Sequence, residues 1–133
     1  MNQAVIADIG PLYAAVDPDD QYHRRAQREL KRITQEKREL VIAYPILLEG
    51  YTLVLYRLGG EAAISWLTEI VAGTAFVNPT VEDYREAVRR VSRFADQKIT
   101  VFDATVAVLA ARLSLKVWTY DHHFDVMRAP IWR

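Results

Sequence analysis

Four short apolar runs, Ala4 to Ala7, Leu40 to Ala43, Thr74 to Val77 and Lys116 to Thr119, are separated by stretches long enough to hold helices. That alternation constrains the fold more than any other feature of the chain. A strand that must pass through a helix before the next strand cannot close a hairpin; it crosses over and lies parallel to its neighbour. The expected fold class is therefore α/β, with a mainly parallel sheet covered by helices on both faces.

The helical segments have recognisable periods and ends. From Gln21 to Lys37, apolar Tyr22, Ala26, Leu30 and Ile33 recur at helical spacing opposite a charged face, with Asp19 or Asp20 as the expected cap. Pro45 suits the first turn of a helix reaching about Leu58, and Gly59-Gly60 separates it from a helix over Glu61 to Val71. Thr80 with Asp83 resembles a capping signal for a helix whose apolar face is Tyr84, Ala87, Val88, Val91 and Phe94. A further helix is expected over Val101 to Leu113, and Ala129 to Trp132 is a candidate short fifth strand. Gly10-Pro11 reads as a break after the first strand. Without a repeat or linker, residues 1–133 read as a single domain.

Composition removes several functional classes. With no cysteine there is no thiolate nucleophile, disulfide or thiolate zinc site, which suits a cytoplasmic protein. No apolar run approaches the roughly 20 residues of a membrane span, and no signal peptide or membrane association is expected. Lys plus Arg equals Asp plus Glu at 17 each, so net charge does not indicate a nucleic-acid partner. The basic residues are nevertheless uneven: Arg24, Arg25, Arg28, Lys31, Arg32, Lys37 and Arg38 crowd one segment, a solvated helix face or a surface for phosphates.

Four acids stand alone in apolar surroundings. Asp8 is the only charge between the N-terminus and Val16, Glu49 the only one between Leu40 and Tyr56, Asp103 the only one from Ile99 to Ala111, and Asp121 directly follows an apolar strand. An unpaired buried carboxylate costs several kcal/mol, so such residues have a partner, a capping role or a cation. Asp8 and Asp121 fall just past the carboxyl ends of parallel strands, the edge where open α/β sheets build sites. Two converging carboxylates repel by about 4 kcal/mol at about 4 Å with an effective dielectric near 20. No basic residue is adjacent in sequence to any of the four, so a divalent cation is the natural relief, and oxygen-only ligation favours Mg²⁺ or Mn²⁺. Asp8 as a cap for the turn at Gly10-Pro11, and Asp103 as a partner of a helix N-terminus, are the alternatives. Glu49, mid-helix, caps nothing.

In this order and spacing the pieces resemble the PIN-domain ribonucleases, in particular the VapC-type toxins of toxin–antitoxin modules. The resemblance runs over nearly the whole chain. It rests on Val5-Ile6-Ala7-Asp8-Ile9-Gly10-Pro11-Leu12 followed by Asp17-Pro18-Asp19-Asp20-Gln21-Tyr22-His23, and on Leu48-Glu49-Gly50. It continues through Phe94-Ala95-Asp96-Gln97-Lys98-Ile99-Thr100-Val101-Phe102-Asp103-Ala104 and Thr119-Tyr120-Asp121-His122-His123-Phe124. It implies a three-layer α/β/α sandwich with a sheet of four to five strands. Asp8, Glu49, Asp103 and Asp121 would be metal-binding catalytic acids supported by Asp96 and Thr100, and RNA phosphodiesters would be hydrolysed by metal-activated water. A cognate antitoxin is implied as partner, its basic side chain or C-terminal segment reaching the acidic pocket.

Members of the family often carry Ser or Thr after the first Asp; here Ile9 follows, which leaves a PIN-like module that binds RNA or protein without cutting as the alternative. A haloacid-dehalogenase-like phosphotransferase would want a second Asp where Gly10 stands, and a response-regulator receiver an Asp where Asn78 stands. Arg24, Arg25, Arg28 and His123 are candidate RNA contacts. His122 and His123, adjacent in a segment read as extended, are expected to point opposite ways and not to share a metal, and His23 is expected to be structural. The helix at Pro45 to Leu58 is apolar nearly all round, and with Trp66, Leu67 and Ile70 it suggests a homodimer interface.

Overall fold

The computed structural model describes residues 3–133. Strands β1 (Val5–Ala7), β2 (Leu40–Ala43), β3 (Ala75–Val77) and β4 (Lys116–Trp118) form one sheet in the order β3-β2-β1-β4, and every pairing is parallel. β1 and β2 are buried along their whole length. That is why they read as continuous apolar runs rather than alternating ones. Ile131 makes a single bridge to Val117 in place of the expected fifth strand.

Seven helices complete the described chain: α1 (Ile9–Ala14), α2 (His23–Gln35), α3 (Tyr44–Leu58), α4 (Gly60–Gly73), α5 (Val81–Arg93), α6 (Val101–Leu113) and α7 (His123–Val126). α3 packs on α4 and on α1, and α1 on α2, while α5 and α7 pack on α6, which also lies against β1 and β4. The result is a three-layer α/β/α sandwich, as the sequence implied. Val5, Ile6, Ile42, Ile46, Val54, Val106, Leu109, Val117 and Trp118 form the centre of its core. None of the helices among the described residues is long and apolar enough to cross a membrane.

Four local expectations are corrected. Gly10-Pro11 does not break the chain; both lie in the first turn of α1, where a missing N–H costs nothing because first-turn amides have no helical acceptor. α2 begins at His23 without a side-chain cap, and Asp20 instead accepts from the Tyr22 amide. Val88, assigned to the apolar face of α5, is exposed, because α5 buries only the narrow stripe around Ala87. Trp66 cannot belong to a dimer face: it is 3% exposed and packs inside the chain on Gly50. A Cβ at Gly50 would lie 2.4 Å from the Trp66 ring and 2.8 Å from the Ile9 side chain, so only glycine lets α4 approach α3 this closely.

Candidate active site

The sheet's topology decides where chemistry gathers. From β1 the chain builds outward through β2 to β3, then returns to place β4 on the other side of β1. The reversal leaves a crevice past the carboxyl ends of β1 and β4. Asp8 follows β1 directly, and its amide donates to the Trp118 carbonyl at the end of β4 at 3.0 Å. Asp121 lies three residues beyond that strand. α3 starts where β2 ends and carries Glu49 in its second turn, and Asp103 sits in the first turn of α6.

Asp8 is 3% exposed and makes no capping hydrogen bond to α1. Its Oδ2 accepts from the Thr119 hydroxyl at 2.9 Å, while its Oδ1 is buried with no partner. Burial raises its pKa to about 7; the negative charges of Asp103 and Asp121 add to the rise, against the Thr119 hydroxyl and the Ile9 amide. Glu49 is also raised to about 7, by burial first and then by Asp8 and Asp103, and its Oε1 is likewise buried without a partner. Asp103 is raised by burial and by Asp121, against its hydrogen bonds with Thr100 and the nearby His123. No arginine or lysine is among the influences on Asp8, Glu49 or Asp103. These sequence-distant acids are thus close enough to perturb one another.

Thr100 and Asp103 form a capping box: the Thr100 hydroxyl accepts from the Asp103 amide at 3.1 Å, and Asp103 Oδ2 accepts from the Thr100 amide at 3.2 Å. One oxygen of Asp103 therefore serves the helix N-terminus, and Thr100 fixes its rotamer. Asp96 is exposed in the turn before α6, with no hydrogen bond or ion pair tying it to the acids. Arg25 lies with its guanidinium 4.4 Å from the centre of the Tyr120 ring, beside Asp121, and pairs with Glu29 at 3.4 Å. Arg24 and Arg28 are exposed on α2. His23 is structural, its Nδ1 2.7 Å from the Ala14 carbonyl oxygen.

Two features were missed from sequence. Thr119 joins two of the acids, because its hydroxyl donates to Asp8 and accepts from the Asp121 amide at 3.0 Å. The signal was a lone hydroxyl at the end of an apolar strand next to an acid. From just past β4 it supplies a hydroxyl of the kind absent at Ile9. The second is the histidine pair: residues 121–123 turn instead of running extended, and the two rings lie side by side, tilted by 37° with centroids 4.2 Å apart. The expectation that they point opposite ways is overturned.

The donor set suits a hard dication. Asp8 and Glu49 present buried oxygens with no partner, and the acids around them are all oxygen donors.

The fold and its acids are those of a parallel α/β/α sandwich with carboxylates gathered at the switch point of the sheet, and the comparisons name the family. The PIN domain model matches residues 8–130, so the chain belongs to the PIN-domain family. It is 28% identical over 127 residues to Ribonuclease VapC26 of Mycobacterium tuberculosis, covering 93% of this chain and 92% of that protein. Among solved structures it is similar to Mycobacterium tuberculosis VapC20, a Sarcin-Ricin loop cleaving toxin, with a TM-score of 0.84 and 19% identity over 98% of this chain and 99% of that one. It is also similar to VapBC2 from Rickettsia felis bound to a DNA fragment from their promoter, with a TM-score of 0.73 and 14% identity, covering 98% of this chain and 97% of that one. FitAcB from Neisseria gonorrhoeae follows at a TM-score of 0.68 and 17% identity, with 97% and 96% coverage. The resemblance read from the sequence is borne out.

Proposed function

We propose that this chain is a Mg²⁺- or Mn²⁺-dependent ribonuclease that hydrolyses RNA phosphodiester bonds, acting in the cytoplasm as the toxin of a type II toxin–antitoxin pair. One observation carries the reading: Asp8 Oδ1 and Glu49 Oε1 are buried, without partners, within a group of acids that no arginine or lysine relieves. Asp8, Glu49, Asp103 and Asp121 would hold the metal. When bound, it supplies Lewis-acid polarisation of the phosphodiester and a water of lowered pKa.

The chain's own groups set the geometry. Thr119 holds one Asp8 oxygen and leaves the other free; Thr100 does the same for Asp103 through the capping box. Asp8 and Glu49, raised to about 7, must both lose protons before they can ligate, so metal affinity rises with pH toward that value. Arg24, Arg25 and Arg28, with His123, would meet RNA phosphates, Arg25 closest to the acids through its place over Tyr120. Asp96 retains a supporting role only if RNA draws its turn inward.

The names of the relatives support a protein partner and an RNA substrate. An apolar groove of about 480 Å³ lined by Leu48, Leu53, Tyr56 and Phe102 opens beside Glu49 and would receive an apolar antitoxin segment, with a basic residue reaching the acids. A homodimer would use the exposed Ile64 and Val71 of α4, not Trp66. The alternative, a module that binds without cutting, loses its main support, because Thr119 supplies a hydroxyl to Asp8.

Cleavage of structured RNA in Mn²⁺ or Mg²⁺, with chelator and Asp8→Asn controls, tests the proposal. Activity should vanish in both controls. Undiminished cleavage by Asp8→Asn would remove the mechanism.

A further inference from the structure

The turn after β4 places two imidazoles and a carboxylate together in a way that the four-acid site does not use. One ligand atom from each of Asp121, His122 and His123 lies within 4.8 Å of the others. Asp121 Oδ1 is the common vertex, 2.9 Å from His123 Nδ1 and 3.8 Å from His122 Nδ1. The shorter approach lacks the angles of a hydrogen bond, so His123 Nδ1 is buried and without a partner. Among the described residues only Asp121 Oδ1 lies against that nitrogen, and it does not hydrogen-bond it.

We propose that Asp121, His122 and His123 form a mixed oxygen-and-nitrogen site for a borderline transition dication such as Zn²⁺, Co²⁺ or Ni²⁺. Imidazole nitrogen suits these ions and is a poor ligand for Mg²⁺, so this site differs in kind from the oxygen-only group. Ligands at about 2.0–2.1 Å from a tetrahedral ion lie roughly 3.4 Å apart. The Asp121–His122 and Asp121–His123 spacings of 3.8 and 2.9 Å lie on either side of that value, and the His122 side chain, 76% exposed, has room to adjust. His123, at 15% exposure, is already held by packing and by its amide, which donates to Asp121 Oδ1 at 2.9 Å.

The recess beside the pair, about 180 Å³, is polar and open to solvent, so water can complete the coordination. Two arginines line it, and each has a counter-charge: Arg25 pairs with Glu29 at 3.4 Å and Arg133 with Asp125 at 3.9 Å. Because Asp121 belongs to both donor sets, a transition dication here would compete with the hard ion for that carboxylate.

Binding of these ions does not depend on whether the chain cuts RNA, and the test does not use cleavage. The tag-free full chain is titrated with Co²⁺, followed by visible absorption, and with Zn²⁺ by calorimetry. Wild type, His122→Ala, His122→Ala/His123→Ala and Asp8→Asn are compared, with metal-free thermal midpoints confirming that each folds. The expected result is micromolar Zn²⁺ affinity in wild type, weakened about tenfold or more by His122→Ala, lost in the double variant and retained in Asp8→Asn. His122→Ala should leave Mn²⁺ affinity unchanged. Absence of Zn²⁺ binding at tens of micromolar, equal binding by the double variant, or loss in Asp8→Asn alone would each overturn the proposal.

Discussion

Replacing Asp8 by Asn should stabilise the metal-free protein above neutral pH. Asp8 is 3% exposed, and its pKa rises from an ordinary 3.8 to about 7 on folding. Between those values the unfolded chain has lost the proton and the folded chain still holds it. Folding therefore takes up a proton, and stability falls as pH rises through that window and then levels off. The window spans roughly three pH units at about 1.4 kcal/mol each, so the penalty on the folded state approaches about 4 kcal/mol by pH 8. Asn removes the titration and keeps an oxygen for the Thr119 hydroxyl. Glu49 reinforces the effect, since Asp8 is the second cause of its own rise. Carboxylates held low by arginine, Asp83 above all, are already ionised at pH 5 and cancel in the comparison. The assay is urea unfolding in chelator at pH 5, 6, 7 and 8. Wild type should lose stability from pH 5 to 7, and Asp8→Asn should lose distinctly less, because burial still raises Glu49 and Asp103 in the variant; the two should diverge by several kcal/mol at pH 8. Adding Mn²⁺ at about 100 times its Kd should return about 2.7 kcal/mol to wild type and none to the variant. A wild-type midpoint that is flat or rises with pH, or a variant that tracks it, would refute the reasoning.

Three further outcomes follow from particular contacts. Gly50→Ala drives a methyl into the Trp66 ring and Ile9, which should cost about 1–3 kcal/mol and lower Tm by several degrees; adding Trp66→Phe should recover part of the loss. Arg112→Ala removes the bidentate partner of Asp83, at 2.8 and 2.7 Å, from a buried carboxylate. Because the arginine is partly exposed, the expected cost at pH 7 is about 2 kcal/mol by urea unfolding. Since Asp83 is held below the ordinary carboxylate range, that cost should shrink as acid protonates it. Replacing Arg24, Arg25 and Arg28 by Ala should flatten the log–log salt dependence of RNA affinity by about 2, at roughly 0.7 per phosphate contact on a single strand. An unchanged slope would return α2 to a merely solvated face.

The parallel sheet, and the gathering of the four acids of the proposed site, were legible because each depends on local pattern: apolar runs, and charges where apolar neighbours make charge expensive. What stayed hidden depends on contacts between distant segments or on backbone details. α1 was hidden because Gly10-Pro11 signal a break everywhere except in a first turn. Trp66 reads as one more exposed apolar residue of α4 until Gly50 is seen to leave room for its ring. The histidine pair was misread because the chain turns one residue earlier than an extended strand end would.

The sharpest contrast lies between two copies of one local motif. Thr80-Val81-Glu82-Asp83 and Thr100-Val101-Phe102-Asp103 both close capping boxes, with the same pair of hydrogen bonds at the start of α5 and α6. Asp83 is then clamped by Arg112, and its carboxyl is pulled below the ordinary range. Asp103 has no arginine, faces Asp121, and is pushed above it. The capping box explains why each acid stands at a helix start, but not why one lacks a counter-charge. Placement alone therefore does not mark a site in this fold. What distinguishes the proposed site is the missing counter-charge: Asp103 is taken out of water near another acid with no arginine beside it, an arrangement that a bound dication would neutralise.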